Sequence, residues 1–182
     1  EYWLTDLLPT DDLRDELLWK THWYQLVVGS KDAGMFVHQD AFKNAAWHFH
    51  IVGEKRWHIM PSKNIKYLKT YTNDGAAEVN CFNPNYISHP QFKNVSGAYL
   101  EGFTRGDAVY YPTDFFHQTH NTQDVNITLT FSVVDSHNVI DVIKSVENCC
   151  TPPFIPYHFS NSLCHSFRNS VFPYWKKKYK LE

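Results

Sequence analysis

The sequence predicts a mainly β domain of the sandwich or barrel kind, with helices before and after it. Three observations carry that reading. Aromatic residues make up 16% of the chain, with 11 Tyr, 13 Phe and 6 Trp, and aromatic enrichment favours pleated, half-buried surfaces. Between Trp23 and Ser132 the signals are short aromatic or β-branched runs broken by turn residues, the pattern of many short strands. Helical spacing appears only outside that stretch.

The elements follow in order. Thr10 through Trp19 opens on a Thr/Asp start signal, carries acids in its first turn and spaces its leucines as a helix does. The clearest strand runs are Trp23–Val28, Met35–His38, Ala45–Val52, Lys55–Met60, Ala108–Tyr111, Gln118–Asn121 and Asn126–Val134. Breaks fall at Asp32-Ala33-Gly34, Gly53-Glu54, Gly106-Asp107, Pro112-Thr113-Asp114 and Thr122-Gln123-Asp124. The stretch Lys63–Phe103, with Asn73-Asp74-Gly75 and Asn83-Pro84-Asn85, reads as an inserted loop region, where substrate contacts often live. After Asp135 helices return at Val139–Glu147, stopped before Thr151-Pro152-Pro153, and again near Ser160–Arg168. The basic ending Trp175 to Lys180 reads as a solvated tail, ahead of a nucleic-acid contact that nothing else supports. The whole is expected to be one domain, 1–182, with a barrel core at about 23–134 and a helical extension at about 136–182.

Composition narrows the function classes. A net charge of −2 gives no global drive toward nucleic acid or anionic membrane. No run reaches the ~18 apolar residues of a membrane span, and no secretory apolar region opens the chain. The first residue is Glu1 rather than Met, which leaves room for a trimmed segment. The 4 cysteines, Cys81, Cys149, Cys150 and Cys164, show no C-x-x-C spacing. They read as reduced, mostly buried thiols of an intracellular protein, cytoplasmic or nuclear. A zinc site from Cys149, Cys150, Cys164 and His165 ranks second, because adjacent cysteines are not the usual knuckle.

The chemistry begins at His38-Gln39-Asp40, answered by the distant His117. Two histidines and one carboxylate make a ligand face that leaves positions open on a metal and suits non-haem Fe(II) working on oxygen. Strand alternation tests the surroundings. Read as a two-residue hairpin turn, Gly53-Glu54 pairs Val52 with Lys55, His50 with Trp57 and His48 with Ile59. Lys55 then points with His48 and His50, toward a lumen where a lysine needs an anion. A second hairpin would set His117, Thr119 and Asn121 against Asn126, Thr128, Thr130 and Ser132 as a wholly polar face, opposite apolar Ile127, Leu129, Phe131 and Val133. Alternation prefers His117 to His120 as the ligand. His50 faces inward as a core histidine or a site-lining one. His22, His58, His89, His137, His158 and His165 belong to no constellation. Tyr24, Tyr99 and Tyr110 are candidate donors, with core packing the ordinary alternative.

These residues resemble the JmjC-type branch of the cupin superfamily, the Fe(II)- and 2-oxoglutarate-dependent oxygenases. The resemblance rests on His38-Gln39-Asp40, Ala46-Trp47, Gly53-Glu54-Lys55-Arg56-Trp57 with Pro61, and Gly106 through Pro112 to Phe115-Phe116-His117 and Asn121. Phe82-Asn83-Pro84-Asn85-Tyr86 with Pro90 and Phe92 resembles the insert of the protein-hydroxylase members. It implies a double-stranded β-helix, the cupin jelly roll, with flanking helices. It implies His38, Asp40 and His117 as iron ligands, and Lys55 as the partner of the distal carboxylate of 2-oxoglutarate. Thr130 matches the hydroxyl that shares that carboxylate, given one extra residue in the turn near Asp124; His48 stands where related enzymes often carry Asn beside the cosubstrate.

The activity so implied uses Fe(II), 2-oxoglutarate and O2 to hydroxylate a C–H bond, most naturally of a protein side chain, releasing succinate. N-methyl-lysine demethylation is a subclass of the same chemistry, and a non-catalytic metal- or ligand-binding cupin is the reading from a different class. The expected partner is a protein or peptide, with a homodimer through the C-terminal helices implied by the resemblance alone.

Overall fold

The computed structural model describes residues 8, 10–20, 23–69, 77–150 and 161–181. The Asn73-Asp74-Gly75 turn, the Thr151-Pro152-Pro153 stop, His22, His158 and Ser160 lie outside the described residues. The chain divides into two compact units, one of residues 1–24 with 132–182 and one of residues 25–131.

The second unit carries the strands, except for Tyr24, Ser132 and Val133. Strand β1 spans Tyr24–Gly29, β2 Ala45–Val52, β3 Lys55–Met60, β4 Ala98–Phe103, β5 Ala108–Tyr111, β6 Phe116–Asn121 and β7 Asn126–Val133. They form a four-stranded sheet in the order β1-β7-β2-β5 and a three-stranded sheet in the order β4-β3-β6. The resolved registers are antiparallel: Trp47 lies opposite Tyr110, Lys55 opposite both Phe103 and Asn121, and Ile59 opposite His117. This is the jelly-roll arrangement expected from the resemblance, a mainly β fold with helices on either side of it in sequence.

Both hairpins read from the sequence are corrected. β2 and β3 do not pair: they lie in different sheets, and so do β6 and β7. The short Gly53-Glu54 link crosses between sheets. Gly53 takes φ 86, and a Cβ there would sit 2.2 Å from the Val125 carbonyl oxygen, so only glycine fits. The inward positions read from alternation are nonetheless inside. His50, Lys55, Trp57, His117, Thr119, Asn121, Asn126 and Thr128 are all buried, so the polar face of the second pair turns inward rather than to solvent. Trp57, Ile59, Ala46, Val109 and Tyr111 form one apolar cluster; Val37, Met60, Phe92 and Phe116 belong to a second.

Two strand expectations change. Met35–His38 is not a strand but makes two single bridges, Val37 to Ala77 and His38 to His117. β4 falls inside the stretch read as loop. Its Ala-Tyr-Leu-Glu-Gly-Phe sequence lacks β-branched residues and includes Gly102 at φ 68; pairing to β3, with a register shift between Lys55 and Trp57, makes it a strand.

The helical unit contains α1 (Asp11–Lys20), α2 (Val139–Cys149), α3 (Asn161–Ser166) and α4 (Phe172–Tyr179), with a π-helical turn Phe167–Val171 joining the last two. Thr10 Oγ1 accepts from Leu13 N–H at 3.4 Å, the expected start signal of α1. α2 buries Val139, Val142, Ile143 and Val146 on one face. The C-terminal segment is corrected from tail to helix: Trp175 is 1% exposed and packs its ring near Phe167 and Phe172. The run of lysines masked a short amphipathic helix of 8 residues. The cysteine reading is corrected too. Cys150 and Cys164 form a disulfide, while Cys81 and Cys149 are free. That removes the proposed four-ligand zinc cluster and the argument for an intracellular setting from four free thiols. No helix among the described residues is long and apolar enough to cross a membrane.

Candidate functional site

The backbones of His38 and His117 exchange both hydrogen bonds, His38 N to His117 O at 3.1 Å and His117 N to His38 O at 2.9 Å. That single bridge sets the imidazoles side by side, with ring centroids 4.2 Å apart. Asp40, two residues on, falls on the side of His38; its Oδ1 lies 3.7 Å from His38 Nε2 and 3.6 Å from His117 Nε2. One ligand atom from each of the three residues lies within 4.8 Å of the others. The loop is pinned from outside: Gln39 Nε2 donates to the Asp114 carbonyl at 2.6 Å, and Lys43 pairs with the Asp114 carboxylate.

Tautomers are set by the backbone. His38 Nδ1 lies 2.8 Å from the Phe36 carbonyl and His117 Nδ1 3.3 Å from the Phe115 carbonyl. A carbonyl only accepts, so each Nδ1 carries the hydrogen and each Nε2 presents a lone pair toward Asp40, the usual second partner of a metal-bound histidine. Burial, with the His38 ring beside it, lowers the His117 pKa to about 4, so the ring stays neutral as a ligand must.

Tyr111 stands at the centre and was missed by the sequence reading, which weighed its neighbour Tyr110. Its hydroxyl donates to Asp40 Oδ2 at 2.8 Å and lies 2.9 Å from His48 Nε2 and 3.2 Å from His117 Nε2. Burial, reinforced by Asp40, holds that phenol well above its ordinary pKa. The signal was available in alternation: Val109 and Tyr111 are buried on β5 while Ala108 and Tyr110 are exposed. Tyr24 and Tyr110 are exposed, and Tyr99 donates to the Cys81 carbonyl on the outer face of the small sheet. None of the three joins the site. His120 lies 3.5 Å from Asp32 and is outside the cluster.

Lys55 is buried, at 6% exposure, with no ion pair among the described residues. Its ammonium lies 5.9 Å from the Trp57 ring centroid, and burial lowers its pKa to about 8. His48 meets Trp57 edge-on, with ring centroids 4.7 Å apart, and burial holds it neutral. Thr130 is half-buried on the inward face of β7. The structure thus gathers His38, Asp40, His117, His48 and Tyr111 at one place. Lys55 lies beyond Trp57 in the same interior.

Comparison with known proteins adds the family. The family described as a cupin-like domain matches residues 12–131. The "2-oxoglutarate and iron-dependent oxygenase JMJD4" of Gallus gallus is 26% identical over 147 residues, covering 76% of this chain and 30% of that protein. The chain therefore spans about a third of the length of that curated relative. Among solved structures, the Drosophila melanogaster CENP-C cupin domain aligns with a TM-score of 0.37 at 7% identity, over 61% of this chain and 60% of that one. The same protein bound to CAL1 aligns with a TM-score of 0.36 at 7% identity, over 61% of each chain. On the family match, with its bridged His-Asp-His face inside a two-sheet jelly roll, the chain belongs to the cupin-like domain family, of the JmjC type.

Proposed function

We propose that this domain is an Fe(II)- and 2-oxoglutarate-dependent oxygenase that hydroxylates a C–H bond of a protein side chain. The observation that carries the reading is the His38–Asp40–His117 face, with both Nδ1 atoms committed to backbone carbonyls and both Nε2 atoms turned toward Asp40 Oδ1. Two imidazoles and one carboxylate are the donor set that suits Fe(II) and leaves positions for a chelating cosubstrate and oxygen. The interior also fits a dicarboxylate, because an unpaired buried ammonium requires an anion. The chemistry supplied by bound iron and 2-oxoglutarate is oxidative decarboxylation to succinate coupled to insertion of oxygen into a C–H bond.

The residues of this chain have their own tasks. His38, Asp40 and His117 hold the metal. Tyr111 fixes the Asp40 carboxylate by donating to Oδ2, which leaves Oδ1 toward the histidines. Lys55 receives the far carboxylate, aided by a β7 threonine, with Thr130 as the match from the resemblance, and neutral His48 lines the cosubstrate. Trp57, fully buried, walls the interior and limits water. Exposed Phe36 borders the metal face, its ring centroid 5.9 Å from that of His38; an exposed apolar side chain beside the site supports a macromolecular side chain as substrate.

Fe(II)-dependent conversion of 2-oxoglutarate to succinate is the test. Turnover is expected in the native chain and absent from His38→Ala and Asp40→Ala. A folded, iron-loaded protein that turns over nothing with a broad peptide set contradicts the proposal. Mass analysis of the peptide products separates gain of one oxygen from loss of a methylene, and so hydroxylation from demethylation.

A further inference from the structure

The larger sheet turns its polar residues inward and its apolar residues out. On β2, His50 is buried, so alternation gives Trp47, Phe49 and Ile51 to the outer face. On β5, Val109 and Tyr111 are buried and Tyr110 faces out. Tyr110 lies opposite Trp47 in the register, with ring centroids 5.0 Å apart. On β7, Asn126 and Thr128 are buried, which leaves Ile127, Leu129 and Phe131 outside.

The edge strand β1 extends that face. Ser132 N–H donates to the Trp23 carbonyl at 2.8 Å, and the Asn121 amide, just before the turn into β7, donates to the Ser30 carbonyl at 2.9 Å. The two contacts run β1 antiparallel to β7. Counting from the Trp23–Ser132 pair sets Leu26 opposite Leu129 and Val28 opposite Ile127, and opposite residues share a face.

No outward position from Leu26 and Val28, across β7 and β2, to Tyr110 carries a charged residue. A sheet with one face in water ordinarily alternates apolar inside with polar outside; this one is reversed. Leu26, Val28, Trp47, Phe49, Tyr110 and Phe131 remain between 40% and 64% exposed. With about 150–250 Å² to an aromatic side chain, these six leave roughly 600 Å² of contiguous apolar surface in water. Half-buried Ile51, Ile127 and Leu129 lie between them and add to it. A patch of that extent marks an interaction surface.

Composition and area select the occupant. Transient interfaces are about as polar as the rest of a protein's surface, whereas permanent ones resemble a domain core cut in half. The exposed area approaches the roughly 800 Å² that each partner contributes to a stable pair. Two like sheets also satisfy the geometry without a specially shaped partner, because aligned sheets pack about 10 Å apart with their side chains interdigitated. A net charge of −2 sets little repulsion between copies.

Independently of the oxygenase reading, we propose that this outer face is the interface of a homodimer, in which the larger sheets of two copies pack against each other about a two-fold axis. Each outward residue then meets the same patch on its partner. The contact is distinct from the one through the C-terminal helices that the resemblance implied.

Sedimentation equilibrium of the full chain, over two decades of concentration in the micromolar range, tests it. The native chain should reach the mass of two chains and stop there. Phe49→Lys and Val28→Lys place a charge at the middle and at the edge strand of the face, and each should weaken association about a hundredfold or more while the circular dichroism stays native. Ile87→Lys, an equal change at an exposed residue off the sheets, should leave the dimer intact. A native chain that stays monomeric overturns the proposal and leaves the face to a different protein. Species that grow past the dimer overturn the closed two-fold contact, and an unaltered dimer in folded Phe49→Lys and Val28→Lys overturns the placement on this face. Carbene labelling of native protein above and below the dissociation range needs no variant. Leu26, Trp47 and Phe49 should be labelled several-fold less in the dimer, with Ile87 unchanged; equal labelling of the three at both concentrations overturns the proposal.

Discussion

Replacing Tyr111 by Phe removes one oxygen from the centre of the site and little else. That oxygen carries a single proton and faces three groups: Asp40 Oδ2 at 2.8 Å, His48 Nε2 at 2.9 Å and His117 Nε2 at 3.2 Å. The proton goes to the carboxylate, the one anion of the three, and the hydrogen bond is charge-assisted. Such a bond is worth about 1.5–3 kcal/mol. Its structural effect is to tie down Oδ2, so that Oδ1 is the atom held 3.7 Å and 3.6 Å from the two Nε2 atoms. Without the tie the carboxylate can rotate away from the ligand face. Losses of orienting partners of this kind typically weaken metal binding about 10- to 100-fold. The assay is Mn(II) titration followed by the paramagnetic resonance of the free ion, on native and Tyr111→Phe protein at pH 7. A dissociation constant within about twofold of the native value refutes the argument that Tyr111 orients Asp40.

Lys55→Met should stabilise the ligand-free protein by up to about 3 kcal/mol in urea denaturation, because lowering the lysine pKa from 10.5 to about 8 reflects a buried charge without a partner; the same variant should lose 2-oxoglutarate affinity, and a destabilised variant contradicts the reading. His50, His58 and His117 are each held neutral down to about pH 4 by burial, whereas unfolded imidazole protonates near 6.5. Unfolding therefore takes up protons between those values: the stability tied to these rings is complete above pH 6.5 and lost as pH falls toward 4, roughly 2 kcal/mol per ring between pH 7 and 5. Ligand-free protein equally stable at pH 5 and 7 would contradict it. Reducing the Cys150–Cys164 disulfide, which closes a sequence separation of 14, should cost the helical unit about 3 kcal/mol. Before reduction, the unfolded chain should show only the thiols of Cys81 and Cys149; a titration finding all four free refutes the bond.

Alternation within one strand was legible, and relations between strands were not. The sequence placed Lys55 inward and preferred His117 to His120, because side-chain direction is local to a strand. The route to that answer was wrong: Gly53-Glu54 reads as a hairpin turn by local chemistry, and the crossing between sheets is a matter of tertiary pairing. β4 escaped notice for a related reason, since Ala98–Phe103 has little strand propensity and owes its conformation to β3. Tyr111 was hidden by its neighbour, as two adjacent tyrosines differ only in which face the strand gives them. In the C-terminal helix, the lysines at 176, 177 and 178 suggested solvent, while Trp175 and Phe172 anchor the buried side. The disulfide could not be read because Cys150 and Cys164 are brought together only by the packing of the helical unit.

The most direct test is the visible charge-transfer absorption that a 2-oxo acid chelated to Fe(II) produces, recorded without oxygen as 2-oxoglutarate is titrated into iron-loaded protein. The account predicts a saturable band with one iron per chain in the native protein, and no band in Asp40→Ala at the same iron and cosubstrate concentrations. A folded native protein that binds no iron, or binds iron and gives no band with 2-oxoglutarate, contradicts it.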